Sequence, residues 1–157
     1  MLELVTVMAI VGVLYVFVTP APSNVSGNTI YARGFHDETL ALLRFGQKTA
    51  IAQRRTVCVT FSGTSSVTLT TAVEAKAATP ACNIDLQGPK GGGAPGATIT
   101  AKSGVAYSTT PQNFNFDGLG QPVDASEVLE LMGIQTIQVV NAAKIITVEA
   151  VTGYVHD

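Results

Sequence analysis

Residues 56–71 read T-V-C-V-T-F-S-G-T-S-S-V-T-L-T-T, and the first six alternate between apolar and smaller or polar side chains. Val57, Val59 and Phe61 should share one face of a strand, because successive side chains in a strand point to opposite faces. A Ser-Gly-Thr turn at 62–64 separates this strand from S-V-T-L-T-T. The stretch therefore predicts a β-hairpin with one buried face.

The chain downstream of the hairpin has the composition of a β-rich domain with many turns. The 157 residues include fifteen glycines and seven prolines, and they show no internal repeat or heptad pattern. Short apolar runs bounded by turn residues predict further strands. These lie at 97–102, 105–109, 113–116, 135–140 and 144–151. Their order in the sheet stays open.

A helical pattern precedes the hairpin, from about Tyr31 to Arg54. At about 100° per residue its apolar or small residues fall on one arc and its charged residues gather opposite. The arc contains Phe35, Leu40, Leu42, Leu43, Gly46, Ala50 and Ile51, and the charged side contains Asp37, Arg44, Lys48 and Arg55. We predict that the arc packs on the sheet, and that the charged side is a solvated face or a subunit contact.

The N-terminus reads M-L-E-L-V-T-V-M-A-I-V-G-V-L-Y-V-F-V and is apolar apart from Glu3 and Thr6. As a helix, Leu2 to Val18 would measure about 25 Å, against roughly 30 Å of membrane hydrocarbon. We predict a transmembrane helix half over 1–19. A cleaved secretory signal is disfavoured because no basic segment precedes the stretch. A buried core helix would not need to be apolar on every side.

Residues 19–28, T-P-A-P-S-N-V-S-G-N, interrupt the helix with prolines, a glycine and polar residues. We assign 20–30 as a hinge or linker and 31–157 as a globular domain. The predicted fold class is α+β, in which a long N-terminal helix, membrane-spanning in its first half, packs on antiparallel sheet.

The stretch L-E-L-V-T-V-M-A-I-V-G-V-L resembles the mature N-terminus of type IV pilins and type II secretion pseudopilins. Glu3 matches the glutamate of that family, and Pro20 matches its helix-bending proline. The resemblance implies that Glu3 pairs with the N-terminal amine of a neighbouring subunit, so that its burial is offset on assembly. The alternative is that Glu3 lies at the membrane interface and reaches water.

The front of the chain departs from the family pattern. Family members carry a basic leader ending in Gly, which a prepilin peptidase removes, and an N-methylated aromatic first residue. Met1 stands where the family has its third mature residue. We therefore expect the native product to begin upstream of Met1 with such a leader.

Two stretches of the C-terminal half resemble H-type pseudopilins and the FimT- and FimU-type minor pilins. Phe116, Gly118 and Gly120 match a turn between strands, and Thr152-Gly153-Tyr154-Val155 matches the end of the last strand. The resemblance implies a pilin-like structural subunit, a minor pilin or minor pseudopilin, of a type IV pilus or type II secretion pseudopilus. It also implies a single-pass protein of the bacterial inner membrane whose domain is periplasmic and then joins a periplasmic or extracellular filament.

The partners that the resemblance implies are other pilins or pseudopilins, in a filament or its tip complex, and the inner membrane before assembly. One alternative is a major pilin of the filament shaft. Another is a FimT-like minor pilin that takes up DNA through a Gly-Arg-x-Arg-like end. This chain has G-Y-V-H at 153–156 and a net charge of −2, which disfavour DNA binding.

The two cysteines, Cys58 and Cys82, allow a single intramolecular disulfide. Outside the cytoplasm such a bond is permitted, and we predict that it forms. The alternative is a buried free thiol at Cys58 and an exposed one at Cys82.

Residues suited to catalysis are few. His36 and His156 are the only histidines, no nucleophile is placed beside them, and both are predicted to be surface residues. Asp117, Asp124 and Glu127 could offer oxygen ligands to Ca²⁺, but they lack the spacing of an EF-hand. We predict no enzyme activity, no cofactor and no metal.

Overall fold

The computed structural model describes residues 2–18, 27–74, 81–88, 97–126 and 131–157. Its helices are α1, Leu2–Val18, and α2, Gly27–Gln53. The strands are β1, Val57–Ser62; β2, Ser66–Thr71; β3, Ile84–Asp85; β4, Ala97–Thr100; β5, Phe114–Phe116; β6, Pro122–Asp124; β7, Gln135–Gln138; β8, Ile145–Val148; and β9, Val155–His156. The fold class is α+β, as predicted, with one long helix and antiparallel sheets.

The predicted hairpin is confirmed and forms the middle of the larger sheet. β1 and β2 pair antiparallel from Val57 opposite Thr71 to Ser62 opposite Ser66. The sheet runs β3-β2-β1-β5-β6, and β4 also pairs with β2. β3 lies beside the end of β2 and β4 beside its beginning, so the two short strands share one edge of β2.

The arc of α2 packs on this sheet, as its sequence pattern predicted. Leu42, Leu43 and Ala50 are at most 2% exposed. A Cβ on Gly46 would lie only 3.0 Å from the Leu69 Cδ1 atom, so the helix lies close to β2 and a larger residue at 46 would require the Leu69 side chain to shift. Ile51 was also predicted on the buried arc, but it is 47% exposed because α2 ends two residues later.

A backbone motif ends α2 before β1. Arg54 takes the left-handed conformation, with φ 51°. Its N–H donates to the Ile51 carbonyl at 3.3 Å, and the Arg55 N–H donates to the Ala50 carbonyl at 3.2 Å. This is the Schellman arrangement, which satisfies carbonyls that the last helical turn leaves unpaired. It turns the chain from the helix directly into β1.

A row of aromatic rings runs through the core between α2 and the sheet. The Phe35 and Tyr107 ring centroids are 4.8 Å apart, and those of Tyr107 and Phe61 are 5.6 Å apart. The Tyr107 hydroxyl shares a 3.0 Å hydrogen bond with Thr39 Oγ1. Burial raises the pKa of Tyr107 to about 12, although the Thr39 hydrogen bond lowers it. The hydroxyl therefore stays neutral and serves as a buried polar link.

A second sheet, β7-β8-β9, contacts α2 through β9. The Arg44 Nε atom donates to the carbonyl of Val155 in β9 at 2.9 Å. Arg44 is therefore half-buried and bonded within the domain, whereas the sequence pattern placed it on a solvated or subunit-contact face. Tyr107 bridges the two sheets by pairing with Val139 just after β7.

The predicted membrane span is not found. Within the described ranges, no helix is long and apolar enough to cross a membrane. α1 has 17 residues, or about 25 Å, which is less than the roughly 30 Å of a hydrocarbon core.

The helix that packs on the sheet lies mid-chain instead of continuing from the N-terminus. It begins at Gly27, whereas the sequence pattern predicted a start near Tyr31. The prolines that argued for a break all precede Gly27, and polar residues such as Asn28 are tolerated in a first helical turn. Pro20, the predicted helix bend, lies outside the described residues.

Several strand predictions need correction. Residues 105–109 were predicted as a strand, but they form a loop with one bridge at Tyr107, because their hydrogen bonds go to two different segments. The predicted stretches 135–140 and 144–151 are shortened to β7 and β8. Sequence missed β3 and β6. It placed 152–155 at the end of one strand, whereas 152–154 lie between β8 and β9, and Val155 begins β9.

The predicted disulfide between Cys58 and Cys82 is confirmed, with Cα atoms 6.1 Å apart. Cys58 lies on the face of β1 opposite its buried valines, and Cys82 lies just before β3. The bond therefore ties residues 81–88 to β1 at the centre of the sheet, in addition to the pairing of β3 with β2.

Reduction of this disulfide should destabilise the domain. The bond joins residues 24 positions apart, and closure of a loop of that length stabilises by roughly 3 kcal/mol in the chain-entropy model. We expect the free energy of unfolding, measured in urea with and without reductant, to fall by about that amount. A Cys58→Ala/Cys82→Ala double variant is the control, because reductant should not change its stability. Equal stability of the oxidised and reduced native protein would contradict the prediction.

Candidate functional site

The strongest candidate for a functional element is α1. Its described aliphatic side chains are exposed, from 55% at Val7 to 69% at Met8. The exposed set also contains Leu4, Val5, Ile10 and Val11. Because successive helical residues advance by about 100°, these positions span an arc of about 220° around the helix. In the sequence, the only polar or charged residues of α1 other than Tyr15 are Glu3 and Thr6. An α-helix that is apolar on every side is normally buried in protein or lipid.

No extensive packing joins α1 to α2 or to any described strand. The domain therefore leaves this apolar surface uncovered. Full burial of a single Val, Leu, Ile or Met side chain stabilises by roughly 1.5–3 kcal/mol. A partner that covered several of these side chains would thus gain a large free energy of association.

Glu3 lies on the first turn of α1 and is exposed. The Thr6 hydroxyl donates to the Glu3 backbone carbonyl at 2.8 Å. No described residue forms an ion pair with the Glu3 carboxylate. The carboxylate is consequently available to a cation supplied from outside the described part of the chain.

The structure brings together the two C-terminal motifs quoted above, although they are more than thirty residues apart. The turn at Gly120 lies against the turn at Gly153, and a Cβ on Gly153 would collide with the Gly120 carbonyl oxygen. The Gln47 side-chain amide of α2 donates to the carbonyls of Gly120 and Thr152, at 3.4 and 2.9 Å. One helix residue thus fastens both turns.

This end of the domain also presents apolar side chains to solvent. Leu119 is 75% exposed, Val151 63% and Tyr154 58%. The Tyr154 ring stacks on His156 at 5.3 Å. His156 in turn lies 2.9 Å from a Glu149 carboxylate oxygen. No nucleophile is bonded to this histidine among the described residues, so the arrangement shapes a surface and gives no catalytic constellation.

The carboxylates considered as calcium ligands are used within turns. Asp117 Oδ1 accepts the N–H groups of Leu119 and Gln121 at 2.9 and 2.8 Å. Asp124 Oδ1 accepts from the Ser126 N–H at 2.7 Å. Glu127 lies outside the described residues. The described ranges contain no group of three or more His, Cys, Asp or Glu side chains that could hold a metal.

His36 is not the surface residue that its sequence suggested. It is 3% exposed, because residues 142–144 and Asp157 cover this side of α2. Sequence reasoning missed it because the covering residues are more than one hundred positions away. The one local indication that His36 is buried was its position next to Phe35 in the helix.

No protein-family model, no curated protein and no solved structure matches this chain. The resemblance to pilins therefore rests on the residues quoted from the sequence.

The contact between the two turns predicts that a larger residue at Gly153 destabilises the domain. Gly153 and Gly63 share a φ of 62°, but a Cβ on Gly63 would meet nothing within 4 Å. Gly63→Ala should therefore cost only the backbone strain, about 1–2 kcal/mol. Gly153→Ala should cost that plus a steric cost of about 1–3 kcal/mol. Urea unfolding of the two variants measures the difference, and equal losses would contradict the close approach.

Proposed function

We propose that this chain is a structural subunit of a pilin-like filament and that it assembles through α1. The machine is a type IV pilus or a type II secretion pseudopilus, and the subunit is a minor one. The protein does no chemistry on a substrate in this proposal. Its partners are other pilins or pseudopilins.

The observation that carries the proposal is the broad exposed apolar surface of α1, formed by Leu4, Val5, Val7, Met8, Ile10 and Val11. A helix with a broad apolar surface can pack against several neighbouring helices at once. A helix with a single apolar strip can pack only along that strip. The domain gives α1 no partner of its own. A bundle of α1 helices from several subunits supplies the missing cover.

Glu3 gives the bundle its register in this proposal. A carboxylate within an apolar bundle is costly unless it is paired. Pairing with the terminal amine of a neighbouring subunit neutralises both charges and admits only one axial offset between the two helices. The absence of an intrachain ion pair at Glu3 within the described residues supports this role.

The remaining domain is the part that a filament displays. The Cys58–Cys82 disulfide favours a location outside the cytoplasm, where such bonds persist. We place the domain in the bacterial periplasm and α1 in the lipid of the inner membrane before assembly. Prepilin peptidase is the processing enzyme that this route requires.

Substitution of Met8 tests whether α1 drives assembly. Met8 is 69% exposed, and a lysine placed in an apolar bundle costs about 2.5–3.5 kcal/mol. Met8→Lys should strongly reduce co-purification with sheared filaments while the domain keeps its melting temperature. Val73→Lys is the matched control, since Val73 is 46% exposed on the domain. Equal incorporation of both variants would overturn the proposed function.

Glu3 is tested separately, because its role is narrower than that of the apolar surface. Glu3→Ala should leave the melting temperature of the domain unchanged and should lower crosslinking to partner subunits. Glu3→Asp, which keeps the charge, should restore part of that crosslinking. Normal crosslinking by Glu3→Ala would refute the pairing and leave the apolar assembly in place.

A further inference from the structure

Two segments of the chain form a surface at the start of α2. The turn at 102–105 lies against the first turn of the helix, where a Cβ on Gly104 would come within 3.4 Å of the Asn28 side-chain amide. Lys102 Nζ lies 4.5 Å from the centre of the Tyr31 ring. An ammonium group at this distance is attracted to the face of an aromatic ring. The contact therefore holds a cation and an aromatic ring side by side at one end of the domain.

The helical residues of this surface point away from the core. Ile30 is 59% exposed and Tyr31 is 46% exposed. Gly34, one turn further along the same helix face, is also exposed. Arg33 is exposed and has no hydrogen bond or ion pair with another described residue. We call Ile30, Tyr31, Arg33 and Lys102 together the Tyr31 surface.

The Tyr31 surface carries positive charge. Arg33 and Lys102 are the only Lys, Arg, Asp or Glu residues within 27–36 and 97–106. The first carboxylates of α2, at Asp37 and Glu38, lie about 9 Å or more along the helix axis beyond Tyr31. Tyrosine is enriched at membrane–water interfaces, where lysine and arginine bury their apolar stems and extend their charged groups to the headgroups. An exposed aliphatic and aromatic pair with two cations is suited to such an interface.

We infer that the Tyr31 surface lies on the anionic phospholipid headgroups of the membrane that holds α1. Ile30 and the Tyr31 ring enter the headgroup layer, and Arg33 and Lys102 contact lipid phosphates. The inference rests on the proposed function, in which α1 lies in lipid before assembly. It adds that the domain is docked on the bilayer in one orientation at this stage.

The length of chain between the two helices favours this orientation. α1 ends at Val18 and α2 begins at Gly27, and nine peptide steps span at most about 32 Å. The opposite end of α2, at Gln53, lies about 39 Å from Gly27. If α2 stood on the bilayer with that end down, Gly27 would be farther from the surface than the chain reaches from Val18. The exposed apolar side chains at the opposite end, such as Leu119, are therefore not the ones that dock.

The test uses the full chain in lipid nanodiscs that carry a nitroxide on the headgroup, which broadens the amide signals of nearby residues. The anionic discs contain equal parts phosphatidylethanolamine and phosphatidylglycerol, and phosphatidylcholine discs are the comparison without net charge. In anionic discs, the Tyr31 and Lys102 amides should be broadened about twice as much as those of Ile51 and Val151, or more, and phosphatidylcholine should reduce this difference. Equal broadening at both ends of the domain in anionic discs would overturn the inference.

Variants separate the surface from general attraction to the bilayer. Lys102→Gln should lower the broadening at Tyr31 about twofold, and Lys102→Arg, which keeps the charge, should retain it. Lys48→Gln is the matched control, because it removes an exposed cation about 26 Å along α2 from Tyr31. Ile30→Ser tests the apolar part, with Val151→Ser as its control, since these residues are 59% and 63% exposed. Equal effects of variant and control would contradict a specific surface.

Separate readouts distinguish this inference from the proposed function. Entry of the chain into the discs is measured first, by size-exclusion chromatography. A chain that enters neither disc would overturn both the inference and the membrane stage of the proposed function. A chain that enters both without preferential broadening at Tyr31 would overturn the inference alone. Tyr31 signals that shift with protein concentration in lipid-free detergent would identify a second copy of the chain as the occupant and would also overturn it.

Discussion

The close seating of α2 on the β1–β2 hairpin is the contact on which the rest of the domain depends. It brings the helix backbone at Gly46 close to Leu69 of β2, whose side chain would have to shift to admit a Cβ there. The same helix then reaches the second sheet through Arg44 and fastens two distant turns through Gln47. Both sheets and the C-terminal turns are thus positioned by one helix, which explains how short strands of two to four residues hold their places.

The domain and α1 satisfy opposite requirements. The domain packs an apolar core between α2 and the sheets, and polar side chains such as Asp117 form hydrogen bonds within turns. α1 exposes its apolar residues and holds one carboxylate, Glu3, without a described ion-pair partner. The domain has its own packed core, whereas the apolar residues of α1 lack a partner that covers them. The proposed filament role follows from that difference.

The parts of the fold that sequence could predict are those set by neighbouring residues. The alternation of Val57, Val59 and Phe61 defines the hairpin, and the periodic arc defines α2. Strands such as β3 and β9, with two residues each, are too short to show an alternating pattern in the sequence. The candidate site divides in the same way. Glu3 is conspicuous in its apolar run, whereas the burial of His36 depends on residues at the far end of the chain.

The pairing of β1 also determines the order in which the sheet can be completed. Its partner on one side, β2, follows after a short turn, but its partner on the other side brings Phe116 opposite Val57. Closing so long a loop is slow compared with forming a hairpin. During synthesis, α2, β1 and β2 are therefore available before β5, and β1 presents an open edge in the interval. Unpaired edges of this kind recruit strands from other chains. The half-made sheet is consequently a stage at which this protein is exposed to aggregation.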